Sequence, residues 1–160
     1  MTARVMVTGG AGFIGAHLCT TLINQGYKVL CIDNLSSGDL NNLKHLENHP
    51  DFEFYCHDVT VPFDSDIGQI YNLACPASPR FYQLDPIQTI KTCVQGSINV
   101  LDIALTHRAR ILQASTSEVY GDPEVHPQQE SYRGSVNSIG VRACYNSLGV
   151  STRVWEVQSL

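Results

Sequence analysis

The sequence predicts an α/β protein built on a doubly wound parallel sheet. Three observations carry that expectation. Short apolar runs alternate with stretches of helical periodicity along most of the chain. The first run ends in a glycine cluster that opens a helix, and the second run ends in an aspartate. Parallel strands joined by right-handed crossovers then make a sheet covered on both faces the economical topology.

Taken in order, Arg4 to Thr8 (RVMVT) reads as a buried strand. A helix from Phe13 to Asn24 follows, with Ile14, Leu18, Leu22 and Ile23 on its inward side, and Gly26 ends it. Lys28 to Ile32 (KVLCI) is the second strand. A polar stretch with Ser36, Ser37 and Gly38 leads to a helix around Leu40 to Glu47. Phe52 to Cys56 gives a third strand and Gln69 to Ala74 a fourth. Cys75 to Pro79 (CPASP) reads as a stiff loop, because proline lacks the N–H that helix and ladder both need. The longest helical pattern runs from Pro86 to His107, with Ile87, Ile90, Val94, Ile98, Leu101 and Leu105 expected to face inward. Ile111 to Ser115 is the fifth strand, and the periodicity fades after Tyr132.

Composition narrows the function classes. The chain has 160 residues, enough for one domain with a core of its own. Charged residues make up only 16% and the formal charge is −5, so nucleic acid and anionic membranes are poor partners. No apolar stretch reaches the roughly 18 residues of a membrane span, and glycines interrupt the first apolar run, unlike a signal peptide. A cytoplasmic protein is expected. The six cysteines form no CxxC pair and most lie in apolar stretches, so they read as buried free thiols. His45 and His49 share an i, i+4 spacing without a third ligand, which suits a solvated helix face better than a metal site; no metal is expected.

The glycine cluster is the first candidate site. TGGAGFIG fits GxGxxG at Gly10, Gly12 and Gly15, and a shifted pattern at Gly9. Placed between strand and helix, such glycines permit a sharp turn and bring main-chain amides close to a pyrophosphate at the positive helix end. The candidate cradle comprises Gly9, Gly10, Gly12, Phe13, Ile14 and Gly15. Asp33 ends the next strand, where a carboxylate accepts hydrogen bonds from adenosine ribose hydroxyls. Its charge repels a 2′-phosphate, and no arginine lies within Asn34 to Asn42, so NAD is favoured over NADP. Asp58, just past the third strand, suits either the adenine amino group or the capping of a turn. Beyond strand five, ASTSEVYG places hydroxyls and a carboxylate at the sheet edge where open α/β proteins bind ligands; a loop satisfying its own backbone is the other reading.

TGGAGFIG, Asp33, HDVT, NLACPASP, STSEVYGDP and Tyr145 together resemble the extended short-chain dehydrogenase/reductase superfamily, with its Rossmann-like fold. More narrowly, CPASP, FYQLDPIQTIKT and ASTSEVYGDPEVHPQ resemble the UDP-glucuronate decarboxylases, or UDP-xylose synthases. The resemblance implies NAD as cofactor, a UDP-sugar substrate, a homodimer in full-length members, and release of CO2 from a 4-keto sugar acid. It implies Tyr145 as base, Ser117 as its hydroxyl partner and Glu118 as the acid associated with decarboxylation. It adds Asn34, Val59, Leu73 and Ala74 to the cofactor site. Tyr82 matches a residue near the sugar, though an aromatic packed under a loop fits equally. Thr116-Ser117-Glu118 differs from the order expected of 4,6-dehydratases, which carry aspartate between threonine and glutamate, and of simple 4-epimerases.

The chain departs from that pattern in one respect that touches chemistry. YxxxK requires lysine at position 149, and the residue is Gly149. A tyrosine titrating near 10 is ionised in only about one molecule in 10³ at pH 7. Lowering its pKa by ~3 units corresponds to about 4 kcal/mol, which the lysine charge helps supply in the family. Arg142, three residues before Tyr145, could substitute only in part, because its charge emerges on the other side of the tyrosine, and Gly149 disfavours continuing that helix. Cys93 stands for an asparagine, and Ser138 and Val141 for prolines. The resulting expectation is a shortened relative: residues 1–145 an NAD-binding domain, 146–160 a divergent tail, the C-terminal substrate domain missing, and turnover impaired. The alternatives are a catalytically silent NAD-binding or interaction module, or a related nucleotide-sugar dehydratase or epimerase.

Overall fold

The structure is a computed structural model that describes residues 4–147 together with 149. The described residues form two compact units. The first runs to Cys75 and includes Gln95–Ala114; the second comprises Pro76–Val94 and the described residues from Ser115 onward.

The first unit holds a five-stranded sheet: β1 (Arg4–Thr8), β2 (Lys28–Asp33), β3 (Phe52–Cys56), β4 (Gln69–Asn72) and β5 (Arg110–Gln113). The strand order is β3-β2-β1-β4-β5, and every pairing is parallel. This is the doubly wound arrangement the alternation predicts, with the order reversing between β1 and β4. Strand periodicity divides the core. Val5, Val7, Val29 and Cys31 face α1 (Phe13–Asn24), while Met6, Leu30, Ile32 and Ile70 pack with Val100 and Ile103 on the opposite side.

Two helical faces differ from expectation for one reason. On α1 the buried residues are Gly15, Ala16, Cys19, Leu22 and Ile23, while Ile14 is 69% exposed. The long helix divides into α2 (Pro86–Lys91), a π turn (Thr92–Gly96) and α3 (Ser97–His107), preceded by a short helical turn at Pro79–Tyr82. Its buried positions are Thr89, Thr92, Cys93, Ser97, Asn99, Val100, Ile103 and Ala104. Ile87, Ile90, Val94, Ile98 and Leu105 are exposed instead. Small and polar side chains let a helix approach its support closely, so the bulkiest apolar residues turn outward. Gly96 illustrates the closeness, since a Cβ there would lie 2.6 Å from Val59 Cγ2.

Smaller differences are local. Leu40–Leu46 is a 3-10 helix, capped by Asp39, whose carboxylate accepts from Asn41 N at 2.9 Å. Pro79 begins a helical turn instead of blocking one, as its missing N–H costs nothing at a first helical position. β4 stops at Asn72 and β5 at Gln113, short of the expected ends. All six cysteines are free; Cys19, Cys31, Cys93 and Cys144 are buried, but Cys56 is exposed and Cys75 half-buried. His45 pairs with Thr20 Oγ1 at 2.8 Å, and His49 lies beyond the helix.

In the second unit, Asp85 caps α2 by accepting from Gln88 N at 2.9 Å. Ser117–Tyr120 forms a 3-10 turn capped by Thr116, whose Oγ1 accepts from Glu118 N at 3.2 Å. Residues 143–147 and 149 are helical. Of the expected divergent tail, residues 148 and 150–160 lie outside the described residues.

Candidate functional site

In the first unit the glycine turn joins β1 to α1. Gly9 has φ +68°, a left-handed backbone suited to glycine, and donates its N–H to Ile32 O at 2.8 Å. Side chains are excluded around the turn by backbone and sulfur. A Cβ on Gly15 would sit 2.3 Å from Gly9 O, and one on Gly10 would sit 2.3 Å from Cys31 Sγ. Beneath Gly10, a thiol hydrogen bond with Cys19, reinforced by burial, holds the Cys31 thiol far above its ordinary value. These sulfurs act as neutral packing.

Gly12 is the N-cap of α1, and no side chain caps the helix. Ala16 N, bonded to Gly12 O at 3.0 Å, is the first regular helical donor. The amides of Phe13, Ile14 and Gly15 therefore stand ahead of the helical ladder at its positive end. Phe13 and Ile14 are exposed beside them.

Asp33 is buried at the end of β2. Its Oδ2 accepts from Ala11 N at 2.9 Å and its Oδ1 from Leu35 N at 2.8 Å. Gly38 approaches both oxygens so closely that a Cβ there would be 3.0 Å from each. Asp58 accepts from Thr60 N at 2.9 Å, Thr60 Oγ1 at 2.8 Å and Asn34 Nδ2 at 3.0 Å. Burial pushes its carboxyl upward, but the Thr60 and Asn34 hydrogen bonds, aided by His57, outweigh that and hold it below the ordinary value. The turn-capping role is thus present. Val59 is buried in the core, and its carbonyl accepts from Asn99 Nδ2 at 2.8 Å.

Leu73 N and Ala74 N both approach Thr8 Oγ1, at 3.2 and 3.3 Å. Thr8 is fully buried and donates its hydroxyl to Asn72 Oδ1. Asn72 Nδ2 in turn donates to Gln113 Oε1 at 2.6 Å, with Ser97 Oγ at 3.5 Å. This polar chain spans the carboxyl ends of β1, β4 and β5, and the sequence reading misses it. Its only signal is polar residues ending apolar strands, Thr8 before the glycines and Asn72 in YNLA.

The second unit contains the reaction candidates. Tyr145 stacks on Tyr82 with ring centroids 5.1 Å apart and planes inclined by 10°. Tyr82 is only 2% exposed, and its carbonyl is 3.6 Å from Cys144 Sγ. Tyr82 is thus buried directly against the candidate base Tyr145, which decides neither of its two readings. Glu118 Oε1 accepts from Arg142 Nη1 at 2.7 Å. The Arg142 charge is therefore engaged with Glu118. Gly149 is buried against the 3-10 turn, and a Cβ there would be 2.8 Å from Val119 Cβ.

Sheet order, glycine turn and strand-end aspartate define a Rossmann-like α/β protein. The chain belongs to the family whose sequence profile is described as GDP-mannose 4,6 dehydratase, matched over residues 6–139. It is 56% identical over 144 residues to UDP-glucuronic acid decarboxylase 6 of Arabidopsis thaliana, covering 89% of this chain and 42% of that protein. It is 51% identical over 143 residues to UDP-glucuronic acid decarboxylase 1 of Danio rerio, covering 89% and 34%. Among solved structures, the UDP-N-acetylglucosamine 4-epimerase from Methanobrevibacter ruminantium M1 superposes with a TM-score of 0.83 at 26% identity, covering 98% of this chain and 50% of that one. The chain thus spans less than half the length of these two decarboxylases and half that of the epimerase.

Proposed function

We propose that this chain binds NAD and belongs by descent to the nucleotide-sugar decarboxylases that act on UDP-glucuronate, but does not itself complete that reaction. The observation that carries the cofactor reading is a glycine turn without room for a Cβ at Gly10 or Gly15, beside an uncapped helix and a buried acid. The amides of Phe13, Ile14 and Gly15, beside the turn formed by Gly9 to Gly12, would hold the pyrophosphate, and Asp33 the adenosine ribose. Asn34, Asp58 and Val59 would border the adenine, with Leu73 and Ala74 at the edge of the same strand ends. Bound NAD supplies a hydride acceptor.

The substrate reading rests on the decarboxylase relatives and on Ser117, Glu118 and Tyr145. In it Tyr145 takes the sugar hydroxyl proton, Ser117 supports that hydroxyl, and Glu118, oriented by Arg142, serves the decarboxylation. Gly149 removes the cation that would favour tyrosinate, and Arg142 is committed elsewhere. The exposed Ile98 and Leu105 of α3 support association into a homodimer.

Calorimetric titration tests binding: NAD is expected to bind, and NADP about tenfold more weakly or worse. Absence of NAD binding overturns the cofactor reading. Incubation with UDP-glucuronate and NAD tests turnover. Release of CO2 at a rate typical of an enzyme overturns the role assigned to Gly149.

A further inference from the structure

We infer that Asn42 is a positioning residue for the phosphate-binding turn, fixing the peptide between Ala11 and Gly12 from the far end of the β2 loop. The inference deepens the NAD reading and rests on it for its ligand.

Ala11 lies in the middle of the glycine turn and is fully buried. Both of its main-chain polar groups are held by the segment that follows β2. Its N–H donates to Asp33 Oδ2 at 2.9 Å. Its carbonyl accepts twice, from Asn42 Nδ2 at 2.8 Å and from Asp39 N at 3.1 Å. A peptide group is planar and trans, so its carbonyl and N–H point in opposite directions. Holding Ala11 O therefore sets the direction of Gly12 N–H, which closes the turn by donating to Gly9 O at 3.2 Å, and holding Ala11 N sets that of Gly10 O. Two successive peptide planes of the turn are oriented from outside it.

The anchoring segment is itself built for the task. Leu35 donates its N–H to Asp33 Oδ1 at 2.8 Å and, with φ +59°, turns the chain that follows. Asp39 caps the following 3-10 helix, which carries Asn42 in its first turn. Asn42 is exposed apart from this contact, so its side chain adds little to the core. A donor reaching 31 residues back to a buried carbonyl is its one recorded side-chain bond among the described residues. The consequence for ligands is selective. Groups held by the turn's amides feel the loss of Asn42, whereas adenosine alone does not.

The test compares wild type, Asn42→Ala and Asn42→Asp as full chains. NAD and ADP are expected to bind Asn42→Ala about threefold to tenfold more weakly, the range of one neutral hydrogen bond. Asn42→Asp, which places a carboxylate against Ala11 O, is expected to lose more. Adenosine, lacking the pyrophosphate, should keep its affinity within about twofold in both variants, which a general loss of structure would not allow. Amide exchange by NMR without ligand gives a second readout: Gly12 N–H should exchange several-fold faster in Asn42→Ala, with β1 and β2 amides unchanged. Unaltered Gly12 exchange, or equal losses for adenosine and NAD, overturns the inference. If wild type binds no NAD, the cofactor reading fails while the exchange measurement still judges Asn42.

Discussion

Gly15→Ala sets two effects of opposite sign against each other, and distances decide between them. In a helix, alanine is favoured over glycine by roughly 1 kcal/mol, so propensity alone predicts a more stable protein. The new Cβ, however, would stand 2.3 Å from Gly9 O and 2.6 Å from Gly10 Cα. Restoring contact distances requires a displacement of about 1 Å. Both atoms are backbone, and Gly9 and Gly10 are tied to Ile32 O at 2.8 and 3.3 Å, so no rotamer change relieves the clash. Overpacking of this kind costs about 1–3 kcal/mol. The net expectation is a loss of up to about 2 kcal/mol, which lowers the melting temperature by roughly 2–8 °C. Displaced amides also lose bonds to a charged pyrophosphate at about 1.5–3 kcal/mol each, a tenfold to hundredfold weakening for one bond. Gly26→Ala is the control. Its φ of +82° imposes strain, but nothing lies within 4 Å, so it should melt somewhat lower and bind NAD normally. Thermal unfolding and calorimetric titration read both quantities. A Gly15→Ala protein that melts at or above wild type and binds NAD equally would refute the steric argument.

Three further outcomes follow from the buried groups. Asn72→Leu leaves the Thr8 hydroxyl and the Gln113 side chain short of a partner and should cost roughly 2–3 kcal/mol in urea unfolding; adding Thr8→Val should recover part of it, and additive losses would contradict a shared network. Tyr82→Ala should cost roughly 3 kcal/mol by opening a cavity beneath Tyr145, whereas Tyr82→Phe keeps the ring stack and should cost under about 1 kcal/mol; equal losses argue against the packing role. The folded-state pKa of Asp58 lies below its ordinary value, so its contribution to stability is present at neutral pH and is lost as pH falls through that lowered value. Thr60→Val removes the hydroxyl bond and keeps the backbone one, so it should move the carboxyl titration upward by NMR, and an unchanged titration would remove the Thr60 hydroxyl as a cause.

The strands were legible in the sequence because a buried parallel strand is a short apolar run, whatever its surroundings. β1, α1 and β3 match their expected bounds, and the glycine turn and Asp33 stand where the pattern puts them. Helix faces were less legible. Hydropathy favours Ile87 or Leu105 for burial, but Thr89, Ser97 and Ala104 take the inner positions because small side chains permit close approach. The polar chain from Thr8 through Asn72 to Gln113 was illegible for a different reason. Each member is unremarkable alone, and only strand order brings them together. The pairing of Arg142 with Glu118 joins positions 24 residues apart and likewise has no local signature.

The seating of Gly149 on Val119 couples position 149 to the loop that carries the tyrosine's partners. A methyl group there would lie 2.8 Å from Val119 Cβ, so in this arrangement any side chain at 149 has to displace the 117–120 turn. That turn carries Ser117 and Glu118, so installing a lysine at 149 would reach the hydroxyl and the carboxylate as well as the tyrosine.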